Sequence, residues 1–216
     1  MQDFTIVTGM IIKAVPIGEY DRRLVLLTKE RGKISAFVRG ARKPNSRFVA
    51  TTNLFCFGTF KLYQGRDSYT LAEAEISNYF EDLRLDFEGA YYGMYFLEIA
   101  DYYTRENNDE REMLKLLYQS LRALSVPSLS HQLVRAVYEL KSIIVNGEFP
   151  GVPGGKKYLS STEYAVEYIV NSYIEKLYTF TVTEEVLAEL RAIAAKICKM
   201  CLPTQFKSLE ILDTLE

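Results

Sequence analysis

Apolar and polar positions change period once along the chain. From Phe4 to Ile76 apolar residues alternate with polar ones or form short β-branched blocks, as strands do, whereas from Leu83 onward they recur every three or four residues, as on helices. Five strands are predicted: Phe4 to Val15, Leu24 to Thr28, Lys33 to Arg39, Leu54 to Tyr63 and Ser68 to Ile76. Gly9, inside the first, marks an expected bulge or bend. Lys29-Glu30-Arg31-Gly32 is a hairpin-length connection with glycine where a positive φ is wanted, and Gln64-Gly65-Arg66-Asp67 joins the last two strands. The polar segment from Ala41 to Thr52, with Pro44 and Asn45, predicts a loop or short helix. Five short strands with one irregular connection between the third and fourth have the layout of an OB-fold barrel, with an SH3-like barrel as the alternative.

The helical half begins with two stripes, Phe87, Tyr91, Met94, Glu98 and Tyr102, then Leu114, Leu117, Leu121 and Leu124 before Pro127; both read as buried helices. Leu129, Leu133, Val137, Leu140 and Ile144 stripe a helix from about Ser128 to Asn146, closed by Gly147. Residues 147–160, with four glycines and two prolines, read as an irregular loop. Helices follow over Tyr164 to Leu177 and from Thr183, where Glu184 and Glu185 suit the first turn and Val186, Leu190, Ile193 and Ile197 form the face. The fold class is therefore α+β, a five-stranded barrel domain over 1–79 followed by an all-α domain over 80–216.

Charge changes this picture. The formal net charge is only −2, but residues 1–79 hold 12 basic and 7 acidic residues (+5) and residues 80–216 hold 14 and 21 (−7). A basic barrel joined to an acidic helical part suggests one module for polyanions and one for another task. The basic charge is densest from Arg22 to Arg47, where nine cations stand against the single acid Glu30. Over Lys33 to Arg39 alternation turns Ile34, Ala36 and Val38 one way and Lys33, Ser35, Phe37 and Arg39 the other. An aromatic among cations on one sheet face can stack a base and hold its phosphates; a half-buried Phe37 among ordinary surface cations is the competing reading.

No stretch of 18 apolar residues and no secretory pattern is present, and three cysteines without framework spacing suit a reducing compartment, so a cytoplasmic protein without a membrane partner is expected. Cys198-Lys199-Met200-Cys201 has CxxC spacing, but zinc would need two more ligands and His131 is the only histidine. The pair lies near a helix end, where the dipole disfavours thiolates, so both cysteines read as structural, with Cys201 nearer the apolar face. Walker A, GxSxG and HExxH patterns are absent, and Asp82, Asp86 and Glu88 read as helix-start carboxylates rather than a magnesium cluster. No catalytic residue is assigned, and no enzyme is expected.

Gly18-Glu19-Tyr20, Leu26-Leu27-Thr28 followed by Gly32-Lys33-Ile34, Arg39-Gly40-Ala41-Arg42-Lys43 and Ser46-Arg47-Phe48 resemble the N-terminal half of the RecO family. Tyr138-Glu139-Leu140-Lys141 and Phe206-Lys207-Ser208-Leu209-Glu210 resemble its C-terminal half. The resemblance implies an N-terminal OB-fold and a helical C-terminal domain. It implies a nucleoid-associated recombination mediator that binds single- and double-stranded DNA and anneals complementary strands. The implied partners are the C-terminal tail of the single-strand binding protein, RecR and, indirectly, RecA. Many relatives carry a four-cysteine zinc module where this chain has residues 147–155 without cysteine, so no zinc or other cofactor is expected.

Arg39, Arg42, Lys43 and Arg47 are the leading candidates for holding phosphates, Arg22 and Lys33 are weaker ones, and Phe37 is the stacking candidate. Leu133, Arg135 and Lys141 are candidates for an apolar groove with a cationic rim that takes the tail. The alternative is a scaffold whose basic barrel binds an acidic protein rather than DNA.

Overall fold

The alternating apolar positions of the first half close on themselves into a barrel. In the computed structural model, which describes residues 4–66, 68–155, 157–202 and 206–215, the strands are β1 (Phe4–Ile17), β2 (Asp21–Thr28), β3 (Gly32–Val38), β4 (Phe57–Gln64) and β5 (Tyr69–Asn78), with helix α1 (Phe48–Thr51) between β3 and β4. Their order round the barrel is β1-β2-β3-β5-β4, closed by antiparallel pairing of β1 with β4 and by a short parallel pairing of β3 with β5. This is the OB-fold arrangement, with α1 in the irregular connection. Val7, Ile11, Leu24, Leu26, Ile34, Ala36, Val38, Phe60, Leu62 and Leu71 fill the interior. Each larger side chain among them stabilises the fold by roughly 1.5–3 kcal/mol when fully buried.

Gly9 serves a close approach. It pairs with Thr28 on one side and Gly58 on the other, and a Cβ there would lie 2.2 Å from the Leu27 carbonyl oxygen. The register shift of β1 falls a little farther on, between Ile11 and Lys13. Gly32 has the positive φ expected of it, +63°. The fourth strand begins at Phe57 rather than Leu54, because Phe55 is left-handed (φ 70°) and Asn53 to Cys56 form a turn first. The β4–β5 turn includes Asp67, and the 147–160 loop includes Lys156; both lie outside the described residues.

The helices are α2 (Glu81–Leu85), α3 (Phe87–Tyr103), α4 (Arg111–Leu124), α5 (His131–Val145), α6 (Ser160–Asn171), α7 (Glu184–Cys201) and α8 (Lys207–Leu215). Two compact units result: residues 1–81 with 100–114, and residues 82–99 with 115–216. The barrel unit thus takes in a later segment that its strand pattern did not mark.

In the second unit α5 is the central helix, packed on α6 and α7. Ser130 caps it by accepting from the Leu133 amide, and Gly147 follows its end at φ +74°. Tyr138 stacks on Phe96 of α3 with centroids 4.2 Å apart, and its hydroxyl donates to the Phe96 carbonyl. The face expected of α3 is instead its more open side: Phe87 is 65% exposed, while Tyr92, Tyr95, Phe96 and Ile99 are buried. The helix is apolar round most of its circumference, so its periodicity supports more than one face. Helix α6 starts four residues earlier than expected and stops at Asn171; Ser172 is extended and only a 3-10 turn, Ile174–Lys176, follows. Thr183 caps α7, whose buried face includes Val186, Leu190, Ile193 and Ile197 as expected.

Candidate nucleic-acid interface

Cross-strand pairing builds the outer face of the β2–β3 hairpin. Arg23 lies opposite Phe37, Val25 opposite Ser35 and Leu27 opposite Lys33. Phe37 is 38% exposed, so the ring leaves the core to Ala36 and Val38, which are fully buried. Arg23 Nε donates to Ser35 Oγ at 3.2 Å, which lays its side chain along the same face. Arg23 belongs to the basic stretch but is not among the site candidates that the sequence marks; its opposition to Phe37 depends on hairpin register, which alternation within one strand does not reveal.

The connection after β3 is tied to the turn between β1 and β2. Asp21 Oδ1 accepts from the Gly40 amide at 2.7 Å, the Tyr20 carbonyl accepts from the Arg42 amide at 2.8 Å, and Arg42 Nη1 donates to the Glu19 carbonyl at 3.2 Å. Ala41 is buried, which pins the loop, whereas Arg39, Arg42, Lys43 and Arg47 are exposed. Among the described residues Arg39 has no hydrogen-bond or ion-pair partner. Lys43 Nζ stands 5.8 Å from the centre of the Tyr20 ring. Arg47 reaches the Ala72 carbonyl and lies over the Phe48 ring, so its guanidinium is partly engaged.

Two candidates from the basic stretch are engaged within the barrel unit. Arg22 Nη1 donates to Thr52 O, Thr52 Oγ1 and Asn53 Oδ1 at 2.9–3.0 Å, joining β2 to the end of α1. Lys33 Nζ donates to Asp101 O at 2.6 Å and Oδ1 at 3.1 Å, and Lys13 bonds the other oxygen of that carboxylate at 2.6 Å. Burial pushes the Asp101 pKa up, but the hydrogen bonds from Lys13 and Lys33 outweigh it and hold the carboxyl below its ordinary value. Around this pair the backbone of 105–107 binds the β2–β3 turn, with Lys33 N donating to Arg105 O, Asn107 N donating to Arg31 O and Gly32 bridging Glu106.

The candidates on α5 are built into the second unit. Leu133 is buried, and Lys141, 7% exposed, donates to the carbonyls of Ile169, Val170 and Ser172, closing the end of α6. Arg135 Nε bonds Glu139 Oε1 at 2.9 Å, and its guanidinium lies over Tyr95. Tyr95 donates to the same carboxylate oxygen at 2.8 Å, so Glu139 is a doubly held buried acid. The expected groove rimmed by Arg135 and Lys141 is therefore corrected: two cations that sequence places beside an apolar stripe are packing and capping groups. Leu133 does line an open cleft of about 530 Å³ with Thr181, Val182, Leu187, Ala188 and Arg191.

Cys198 and Cys201 are both partly buried, so exposure sets neither apart as nearer the apolar face. Burial, and then the Glu139 carboxylate, pushes the Cys198 thiol far up, while Cys201, pushed up less, lies against the Glu148 carbonyl at 3.5 Å. His131 opens α5 with Nε2 3.1 Å from Leu124 O and 3.3 Å from Asp86 Oδ2, and Nδ1 3.7 Å from Glu88 Oε2. Asp86 and Glu88 thus flank the helix start. Among the described residues no helix is long and apolar enough to cross a membrane.

Known proteins match this chain over nearly its whole length. The family model described as Recombination protein O N terminal matches residues 1–80, and that described as Recombination protein O C terminal matches residues 84–152. The chain is 30% identical to the DNA repair protein RecO of Acetivibrio thermocellus over 97% of its own length and 96% of the relative's. It is 27% identical to that of Clostridium perfringens strain 13, over 96% and 97%. Against that of Symbiobacterium thermophilum it is 34% identical over 68% of this chain and 58% of the relative.

Proposed function

The chain belongs to the RecO family, and on that premise we propose that it is a non-enzymatic DNA repair and recombination mediator whose barrel unit binds single- and double-stranded DNA and anneals complementary strands. The observation that carries this reading is the clustering of charge at one end of the β2–β3 hairpin. Residues 18–23 and 39–47 hold six cations (Arg22, Arg23, Arg39, Arg42, Lys43, Arg47) and two acids, Glu19 and Asp21. Asp21 is occupied in joining the two segments, and Phe37 stands outward beside Arg23.

Annealing needs neutralised phosphates and bases held so that a second strand can pair, and no bond in the protein is made or broken. Arg23, Arg39, Arg42 and Lys43 hold phosphates, Arg47 assists, and Phe37 stacks a base. Arg22 supports this surface through its bonds to Thr52 and Asn53, whereas Lys33 is held by Asp101 at the other end of the hairpin. The acidic helical unit takes the protein partners: the single-strand binding protein tail, RecR and, through them, RecA on coated DNA. For the tail, the cleft lined by Leu133, Leu187 and Arg191 replaces the rim of Arg135 and Lys141.

Binding of a fluorescent oligonucleotide across a salt series tests the reading. A linear fall of log K with log salt is expected as counterions are released. A scaffold for an acidic protein would have no useful DNA affinity at moderate salt.

A further inference from the structure

Tyr20 has no role in the core. It lies in the β1–β2 turn, a residue 42% exposed, although the backbone beneath it is fixed by the Arg42 amide on its own carbonyl, the Arg42 guanidinium on Glu19 O and Asp21 on the Gly40 amide. An exposed aromatic on a clamped turn loses little freedom when a ligand covers it. One cation, Lys43, stands at its ring, and Arg39 and Arg42 are exposed in the same loop. From Tyr20 to Arg23, the cross-strand partner of Phe37, is three residues along the chain, roughly 10 Å at strand rise. An extended single strand covers such a span within a few nucleotides.

We propose that Tyr20 is a second base-stacking platform, selective for unpaired bases, which takes the strand after Phe37 and leaves its phosphates to Arg39, Arg42 and Lys43. The proposal rests on the DNA-binding reading above and adds to it a discrimination: a ring face can be covered only by a base free of its duplex partner.

The chain has no tryptophan, so Tyr20→Trp introduces a single indole at the site. Titration with oligothymidine should quench its emission, and an abasic strand of equal length should bind without quenching, binding being followed separately by anisotropy of an end label. Tyr20→Ala should weaken oligothymidine by about fivefold or more and leave the abasic strand unchanged, while Tyr20→Phe should bind as wild type. Unchanged indole emission with DNA demonstrably bound overturns the stacking role and leaves the DNA-binding reading standing. Absence of any binding by wild type overturns both. If Tyr20→Ala does not fold, by circular dichroism, the quenching experiment decides alone.

Discussion

At the turn end of the β2–β3 hairpin, residues 29–33 meet residues 101–111, and together they carry five cations and five acids. At the opposite end, residues 18–23 and 39–47 carry six cations and two acids. The same hairpin thus has one neutralised end, where Lys33 is held by Asp101 and the backbone edge is covered by Arg105 and Asn107, and one open end, where Arg39, Arg42 and Lys43 face solvent. A cation held by three acceptors, as Arg22 is, or by a carboxylate, as Lys33 is, offers less to a phosphate than one with a single carbonyl contact, as Arg42 has. A solvated cation beside an exposed ring releases counterions when a polyanion arrives. Location in a basic run does not separate these two kinds of residue; the partners of each side chain do.

Breaking the engaged cations should disturb folding rather than binding, and the largest effect is expected at Lys141. Lys141→Met keeps much of the side-chain volume but leaves three carbonyls at the end of α6 without their donor. A loss of about 2–4 kcal/mol in chemical denaturation is expected, with oligonucleotide affinity retained by the folded fraction. Equal stability with weakened DNA binding would place Lys141 among the groups that touch the ligand.

Phe37→Ala sharpens the open end. The ring is partly exposed, so the melting temperature should change little while single-strand affinity falls by about 1–3 kcal/mol in a fluorescence titration. A large loss of stability with full affinity would make the ring a packing group. The smallest effect is expected at Asp101→Asn. Because the folded Asp101 pKa is depressed, its ion pairs stabilise the fold above the ordinary carboxylate pKa of about 4 and are lost as pH falls through the lower folded value. Stability at neutral pH should drop by on the order of 1 kcal/mol, the difference from wild type should vanish in acid, and DNA affinity should not move. A change in affinity comparable to that of Phe37→Ala would erase the distinction between the two ends.

The barrel was legible because its strands alternate or run as short apolar blocks between turn residues, and Gly32 is needed at a positive φ, features that are local in sequence. The face of α7 was legible for the same reason, whereas α5 is buried round most of its circumference and its stripe marks only part of its packing. What escaped was set by long-range partners: α6 ends where Lys141 reaches its carbonyls, α3 is apolar on more sides than one, and residues 100–114 join the barrel through Asp101 and backbone pairing. In the candidate interface, Phe37, Arg39, Arg42 and Lys43 followed from alternation and charge density. Arg22 and Lys33 carry the same charge in the same run, and only Thr52, Asn53 and Asp101 distinguish them.

The most direct measurement is the slope of log K against log salt for a labelled single-stranded oligonucleotide, compared between wild type, Lys33→Ala and the quadruple replacement of Arg39, Arg42, Lys43 and Arg47 by alanine. The quadruple variant should remain folded, bind more weakly and show a slope flatter by up to about 0.7–0.9 for each phosphate no longer neutralised, while Lys33→Ala keeps the wild-type slope. Wild-type affinity and slope in the folded quadruple variant would contradict the assignment of DNA binding to the open end of the barrel.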